Sequence, residues 1–160
     1  MMENIKTLAG DSGGSGLHIA IVASRYNDSI VERLLRGCLD SLHAHGVDSD
    51  AILVARVPGA FELPLVARAL AKKQKYDAII ALGAVIRGDT PHFEYISAEC
   101  THGIAETALQ FDIPVVFGVL TVDDYEQAML RSGSEESNKG AEAAMTALET
   151  TSVLAQIRDE

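Results

Sequence analysis

His92 is the candidate proton-transfer residue of this sequence, and the short segments around it contain the side chains that could hold a polar substrate. It ends the run Gly88-Asp89-Thr90-Pro91-His92, at the expected first turn of a helix. There the positive end of the helix dipole favours a neutral imidazole, able to accept and return protons near pH 7. By position alone, a solvated histidine at a helix start is an equal reading. Gly88-Asp89-Thr90 offers unpaired amides suited to a phosphate oxyanion, yet Asp89 and Thr90 would serve as well to cap the helix. The Asp89 carboxylate repels phosphate, so only its main-chain N–H could contribute. Tyr26, in Arg25-Tyr26-Asn27, presents either a flat face to a heterocycle or a ring packed over a neighbouring helix. Glu62, in Pro58-Gly59-Ala60-Phe61-Glu62, is a ligand contact or simply a carboxylate at a helix start. Arg131 and Lys139 are cations able to neutralise phosphate, and are equally ordinary helix-terminal residues.

These segments sit where the apolar pattern ends. Leu17 to Ser24 is a continuous β-branched run typical of a strand buried on both faces. Asp28 and Ser29, with Glu32 completing a capping box, predict a helix whose apolar positions recur from Ile30 to Leu42 and which Gly46 stops. A strand over Ala51 to Val57 precedes a helix from about Phe61 to Lys73. Another over Tyr76 to Val85 leads through the His92 loop to a helix from about Pro91 to Gln110. Val115 to Thr121 is the fourth strand, and helices over Asp123 to Arg131 and Asn138 to Ile157 close the chain. Strands alternating with helices predict a three-layer α/β/α sandwich around a four-stranded parallel sheet, of the flavodoxin-like kind. In such a sheet ligands bind beyond the carboxyl ends of the strands. Tyr26, Ala60 to Glu62, Ile86 to His92 and Phe117-Gly118 are therefore expected on one rim.

A length of 160 residues suits a single domain over 17–160, preceded by residues 1–16. Within that segment Ile5 to Leu8 is a candidate edge strand able to pair with a neighbouring subunit, and GDSGGSG over 10–16 is expected to be flexible unless a neighbour orders it. The chain is 48% apolar and 22% charged, in the globular range. Thirteen Lys and Arg against 23 Asp and Glu give a net charge of −10, which opposes binding to nucleic acid or anionic lipid. No apolar run reaches the ~20 residues of a membrane span and no signal-peptide pattern opens the chain, so a cytoplasmic location is expected. Cys38 and Cys100 lie in helical apolar patterns and are read as buried thiols, while His18, His43, His45 and His102 lack any ligand pattern, so no metal is expected. A P-loop lysine and the dinucleotide fingerprint are both missing.

Taken together, SRYND, VPGAFELP, YDAIIALGAVIRGDTPHFEYI, IPVVFGVLTVDDYEQAMLRSG and SNKGAEAA resemble the lumazine synthase family in order and spacing, over about residues 17–157. The resemblance implies an enzyme that joins 5-amino-6-(D-ribitylamino)uracil to 3,4-dihydroxy-2-butanone 4-phosphate. The products are 6,7-dimethyl-8-ribityllumazine, phosphate and water, at the penultimate step of riboflavin biosynthesis, with no cofactor. His92 falls on the family's proton-transfer residue. Tyr26 matches its stacking aromatic, with Asn27 beside it as a further contact to the pyrimidine substrate, and Ala60, Phe61 and Glu62 match the turn that holds the pyrimidine and its ribityl chain. Ala84, Val85 and Ile86 match the main chain that reads the heterocycle's polar edge. Asp89 and Thr90 fall at the phosphate site. Phe117, Arg131 and Lys139 match residues that the family supplies from an adjacent subunit, Arg131 to the phosphate. A homo-oligomer is implied: pentamers, in many members twelve of them closed into an icosahedral shell that can enclose riboflavin synthase.

One segment departs from the pattern. Many shell-forming members have Gly-Thr-Lys-Ala-Gly-Asn between the last two helices, where this chain has Gly133-Ser134-Glu135-Glu136-Ser137-Asn138, two acids in place of a cation. Competing readings are an archaeal-type riboflavin synthase paralogue, a non-catalytic flavodoxin-like binding module, and a non-catalytic shell protein. The complete VPGAFELP and RGDTPHFEY segments oppose the first. The receiver form of the second would need an acidic cluster at strand ends, and the third would be expected to have lost His92 or Arg131.

Overall fold

The two most apolar runs become the two central strands of the sheet. In the computed structural model, which describes residues 3–134 and 137–160, β1 (Ile19–Ser24) is buried at every position, and β3 (Ala78–Ile86) at every position but its last. β2 (Ile52–Val57) and β4 (Val115–Val122) flank them in the order β2-β1-β3-β4, and all pairings are parallel. Alternate residues of each strand enter opposite cores. Ile19, Ile21 and Ala23 face one core with α1 (Asp28–Ala44), α4 (Tyr125–Arg131) and α5 (Lys139–Arg158). Ala20 and Val22 face the other with α2 (Leu63–Lys72) and α3 (His92–Phe111). The three-layer parallel architecture is as expected from the sequence.

This strand order also says where a ligand belongs. The chain leaves β1 towards β2 on one side, then crosses back over β1 to β3 on the other. The connections after β1 and β3 therefore diverge and open a crevice at the carboxyl ends of those strands. Tyr26 follows the first strand and His92 the second.

Several local expectations are corrected. The cap position of α1 is Asn27, in the left-handed region at φ 60°, with no side-chain cap, and Glu32 pairs with Arg56 instead of completing a capping box. Short 3-10 turns over Ser49–Ala51 and Ala60–Glu62 precede β2 and α2, so the second helix begins two residues later than its apolar pattern indicates. α4 begins at Tyr125 rather than Asp123, behind Asp124, whose side chain caps it by accepting from the Gln127 N–H at 2.8 Å. Gly46 does stop α1, at φ 94°, where the N–H of Val47 reaches back to the Leu42 carbonyl at 3.0 Å.

Residues 5–8 form no strand within the chain, and Ile5 is 63% exposed. The Gly/Ser segment that follows is tied to its own chain without a neighbour. The Asp11 N–H donates to Ser152 Oγ at 3.1 Å, Gln156 donates to the Ala9 carbonyl at 2.7 Å, and the Gly14 N–H donates to the His45 carbonyl at 2.8 Å.

Cys38 and Cys100 are buried in opposite cores, and burial pushes each thiol up to about 12. A thiol held that high has almost no thiolate at neutral pH. Native protein should therefore leave an aromatic disulfide reagent essentially unreacted over the minutes in which the guanidinium-unfolded chain consumes both thiols. Rapid native reaction of either would contradict the burial.

Candidate active site

The crevice at the switch point is a cleft of roughly 710 Å³. Tyr26 and Asn27 enter it from the β1–α1 connection, Pro58 to Glu62 from the turn after β2, and Ala84, Val85 and Ile86 from the end of β3. Gly88, Thr90, His92, Phe93 and Ile96 complete it from the following loop and the first turns of α3. Residues far apart in sequence meet here because three parallel strands, β1, β2 and β3, end at one level.

Each wall has a local cause. Tyr26 is 73% exposed and Phe61 56%, so neither ring is packed into the protein, and both are free to cover a planar ligand. The reading of Tyr26 as a packed ring is thereby removed. The Tyr26 N–H donates to the Pro58 carbonyl at 3.0 Å, fastening the aromatic to the neighbouring turn. The Asn27 amide donates to the Ala84 carbonyl at 2.9 Å, which ties the β1 connection to β3 and explains the left-handed backbone at that position. Glu62 accepts from the Gly59 N–H at 3.0 Å, the helix-start role that its position implied, while still lining the cleft.

His92 is the first residue of α3, exposed at the cleft. Pro91 occupies the cap position, so Asp89 and Thr90 are not the helix caps that they resembled. The Glu94 N–H already donates to the Pro91 carbonyl at 3.1 Å, which leaves the His92 and Phe93 amides at the positive end of α3, beside the cleft. Thr90 lines the cleft, whereas Asp89 is exposed outside that lining.

Phe117, Arg131 and Lys139 are not brought to this cleft. Phe117 is expected at the rim, but it lies midway along β4, opposite Ala81, and is 41% exposed because β4 is an edge strand that the helices cover incompletely. With Arg131 and Lys139 it lines a second cleft of roughly 620 Å³ running along β4 and α5. Among the described residues Arg131 reaches only the Gln127 carbonyl, at 3.3 Å, and Lys139 pairs with Glu142 at 2.7 Å. A single chain thus displays two separate clefts with no lining residue in common. The loop that departs from the shell-forming pattern is closed by Asn138, whose amide donates to the Arg33 and Gly133 carbonyls, but Glu135 and Glu136 fall outside the described residues.

Arg87 has a place that its sequence position did not reveal. Its guanidinium donates to Asp123 at 3.0 Å and to Glu94, and lies 4.3 Å over the Phe93 ring. The hydrogen bond from Arg87 holds the Glu94 carboxyl below the usual carboxylate range. That preference acts above the ordinary glutamate pKa and is lost as the pH falls through the lowered one. Phe93 and Ile96 were also unforeseen, although α3 leaving the rim one turn past His92 makes both natural lining residues. Among the described residues no group of three or more His, Cys, Asp or Glu could hold a metal ion, and no helix is long and apolar enough to cross a membrane.

A parallel α/β sheet with an aromatic- and amide-lined cleft at its switch point, and an imidazole at a helix start on the rim, has the architecture of a protein that binds a small molecule beyond its strand ends. Comparison with known proteins narrows the class. The sequence profile described as 6,7-dimethyl-8-ribityllumazine synthase matches residues 16–155. Proteins of that name from Desulfovibrio desulfuricans (strain ATCC 27774) and Nitratidesulfovibrio vulgaris (strain DP4) are each 53% identical over 156 residues, covering 98% of this chain and the whole of theirs. The chain belongs to the lumazine synthase family.

Proposed function

We propose that the protein condenses 5-amino-6-(D-ribitylamino)uracil with 3,4-dihydroxy-2-butanone 4-phosphate to give 6,7-dimethyl-8-ribityllumazine, phosphate and water. The observation that carries this reading is the single cleft uniting Tyr26, Phe61, the end of β3 and His92, in a chain that aligns with its relatives from end to end. Tyr26 and Phe61 cover the pyrimidine, with Asn27 holding Tyr26 in place. Ala84, Val85 and Ile86 read its polar edge, and Ala60 and Glu62 contact it and the ribityl chain. Gly88-Asp89-Thr90 and the start of α3 receive the phosphate.

The primary amine attacks the ketone and loses water to form an imine, and phosphate leaves as the proton on the neighbouring hydroxyl-bearing carbon is removed. The resulting enol tautomerises to a ketone, and the ribitylamino nitrogen closes the ring on that second carbonyl with loss of water. His92 carries protons between these steps. Much of the acceleration comes from holding two substrates in register, since such a condensation needs little beyond proximity and proton transfer.

The second cleft completes the first in a neighbouring subunit, bringing Phe117 to the heterocycle and Arg131 and Lys139 to the phosphate. A pentamer supplies such head-to-tail contacts all round a ring. The exposed Ile5 and the open edge of β2, with Leu53 and Val54 partly exposed, suit an N-terminal strand added from an adjacent chain. Twelve pentamers closed into a shell, with riboflavin synthase inside, is the larger form of the same proposal, and light scattering distinguishes it from a free pentamer.

The test is formation of the lumazine from the two substrates by purified protein. His92→Ala should lower turnover roughly a hundredfold, the low end of general acid–base effects, while leaving the assembly intact. Unchanged turnover would remove His92 from the mechanism, and no lumazine from the wild-type protein would remove the function.

A further inference from the structure

We infer that Arg87 is a positioning residue for His92, clasping the first turn of α3 to the end of β4. The inference rests on the reading of His92 as the proton carrier. Three contacts support it, all from one planar group. Arg87 Nε donates to Asp123 Oδ1 at 3.0 Å, Nη1 donates to Glu94 Oε1, and Cζ lies 4.3 Å above the Phe93 ring. Phe93 and Glu94 are the two residues that follow His92, and Asp123 directly follows β4. The Arg87 main-chain N–H donates to the Val122 carbonyl at 2.9 Å, extending the β3–β4 ladder by one residue and anchoring the clasp on the rigid sheet. The guanidinium therefore fixes both the azimuth of the first helical turn and its distance from β4.

Surface stabilisation does not account for this arrangement. The Arg87 side chain is 45% exposed, Glu94 53% and Asp123 67%, and ion pairs so open to water contribute little to folding. Their product is geometry. His92 begins its helix behind a proline cap with no side-chain cap bond. Beside the packing of Phe93 and Ile96 on the core, the bond from Arg87 to Glu94 is the one side-chain hydrogen bond to that turn among the described residues. Lysine would not substitute well, because only a planar fork can meet two carboxylates while stacking on a ring.

The experiment is a double-mutant cycle on the assembled protein, with steady-state kinetics for both substrates. Arg87→Ala should reduce kcat about tenfold with each KM within about threefold of wild type, since it displaces a proton carrier without removing a binding contact. In the His92→Ala background the same substitution should change kcat by less than about twofold, because there is no imidazole left to misplace. Arg87→Lys should recover only part of the loss and serves as the reporter if the alanine variant does not fold. Unchanged kcat in Arg87→Ala would overturn the clasp. A full tenfold loss persisting on His92→Ala would overturn it too, showing a general structural role. If His92→Ala alone has wild-type turnover, the reading of His92 fails and takes the clasp with it, an outcome distinct from the other two.

Discussion

Refolded together from an equimolar unfolded mixture, the His92→Ala and Arg131→Ala chains should regain about a quarter of wild-type turnover, although neither regains it alone. The expectation follows from the geometry of one chain. His92 lines the cleft at the ends of β1 and β3, whereas Arg131 lines the groove along β4 and α5, and the two share no lining residue. If a working site takes His92 from one chain and Arg131 from the next, random mixing leaves about one site in four with both groups wild type. Arg131→Ala alone should cost up to about a hundredfold in kcat/KM, the scale of a lost charge-assisted hydrogen bond of about 3 kcal/mol. Because Arg131 is exposed and, among the described residues, holds only a carbonyl of its own helix at 3.3 Å, its removal should not disturb folding. The measurement is lumazine formation by each refolded variant and by the mixture at matched total concentration. A mixture no more active than the mean of its parents would place both groups in one chain's site.

What the sequence makes legible follows the range of the forces involved. β1 and β3 are readable because burial on both faces leaves unbroken apolar runs, and the loops that follow them are then fixed as the rim of a cleft. That reasoning places Tyr26 and His92 without any coordinates, and the Pro58-Gly59 turn after β2 adds Glu62. Phe117 escapes it because an edge strand and a central strand carry the same apolar pattern, and only the pairing shows that β4 has a free side. Arg87 escapes for a different reason: its partners are seven and thirty-six residues away and come near only when α3 and β4 end side by side. Asn27 reads as a possible ligand contact, but its left-handed backbone and its bond to Ala84 exist only once β1 lies beside β3. Such tertiary matches have no period in the sequence. The family resemblance supplies roles for some of these residues, but Arg87 and the tie made by Asn27 emerge from the fold.

Gly140→Ala should be among the most destabilising single-methyl substitutions in this chain. Gly140 is the second residue of α5, where that helix begins against α1. A Cβ built there collides with the Leu34 carbonyl oxygen and lies 2.6 Å from its carbon, well inside the ~3.5 Å at which carbon atoms normally touch. The obstacle is backbone within α1, and Leu34 is itself fully buried, so the helix cannot rotate a side chain away. Withdrawing α5 instead would strain Asn138, whose Oδ1 accepts from the Gly140 and Ala141 N–H groups at 2.8 and 3.1 Å while its amide holds the preceding loop. Alanine's better helix propensity, worth up to about 1 kcal/mol in a helix interior and less at a terminus, does not offset this. Overpacking of a rigid contact costs about 3 kcal/mol, which lowers Tm by about 10 °C in a chain of this length. Gly13→Ala is the control, since a Cβ there meets only the Asp11 carboxylate oxygen at 3.2 Å, the movable end of an exposed side chain. Thermal unfolding must be compared at one protein concentration, because assembly adds stability by mass action. A Gly140→Ala protein melting within about 2 °C of wild type would mean that α1 and α5 do not approach as closely as the structure places them.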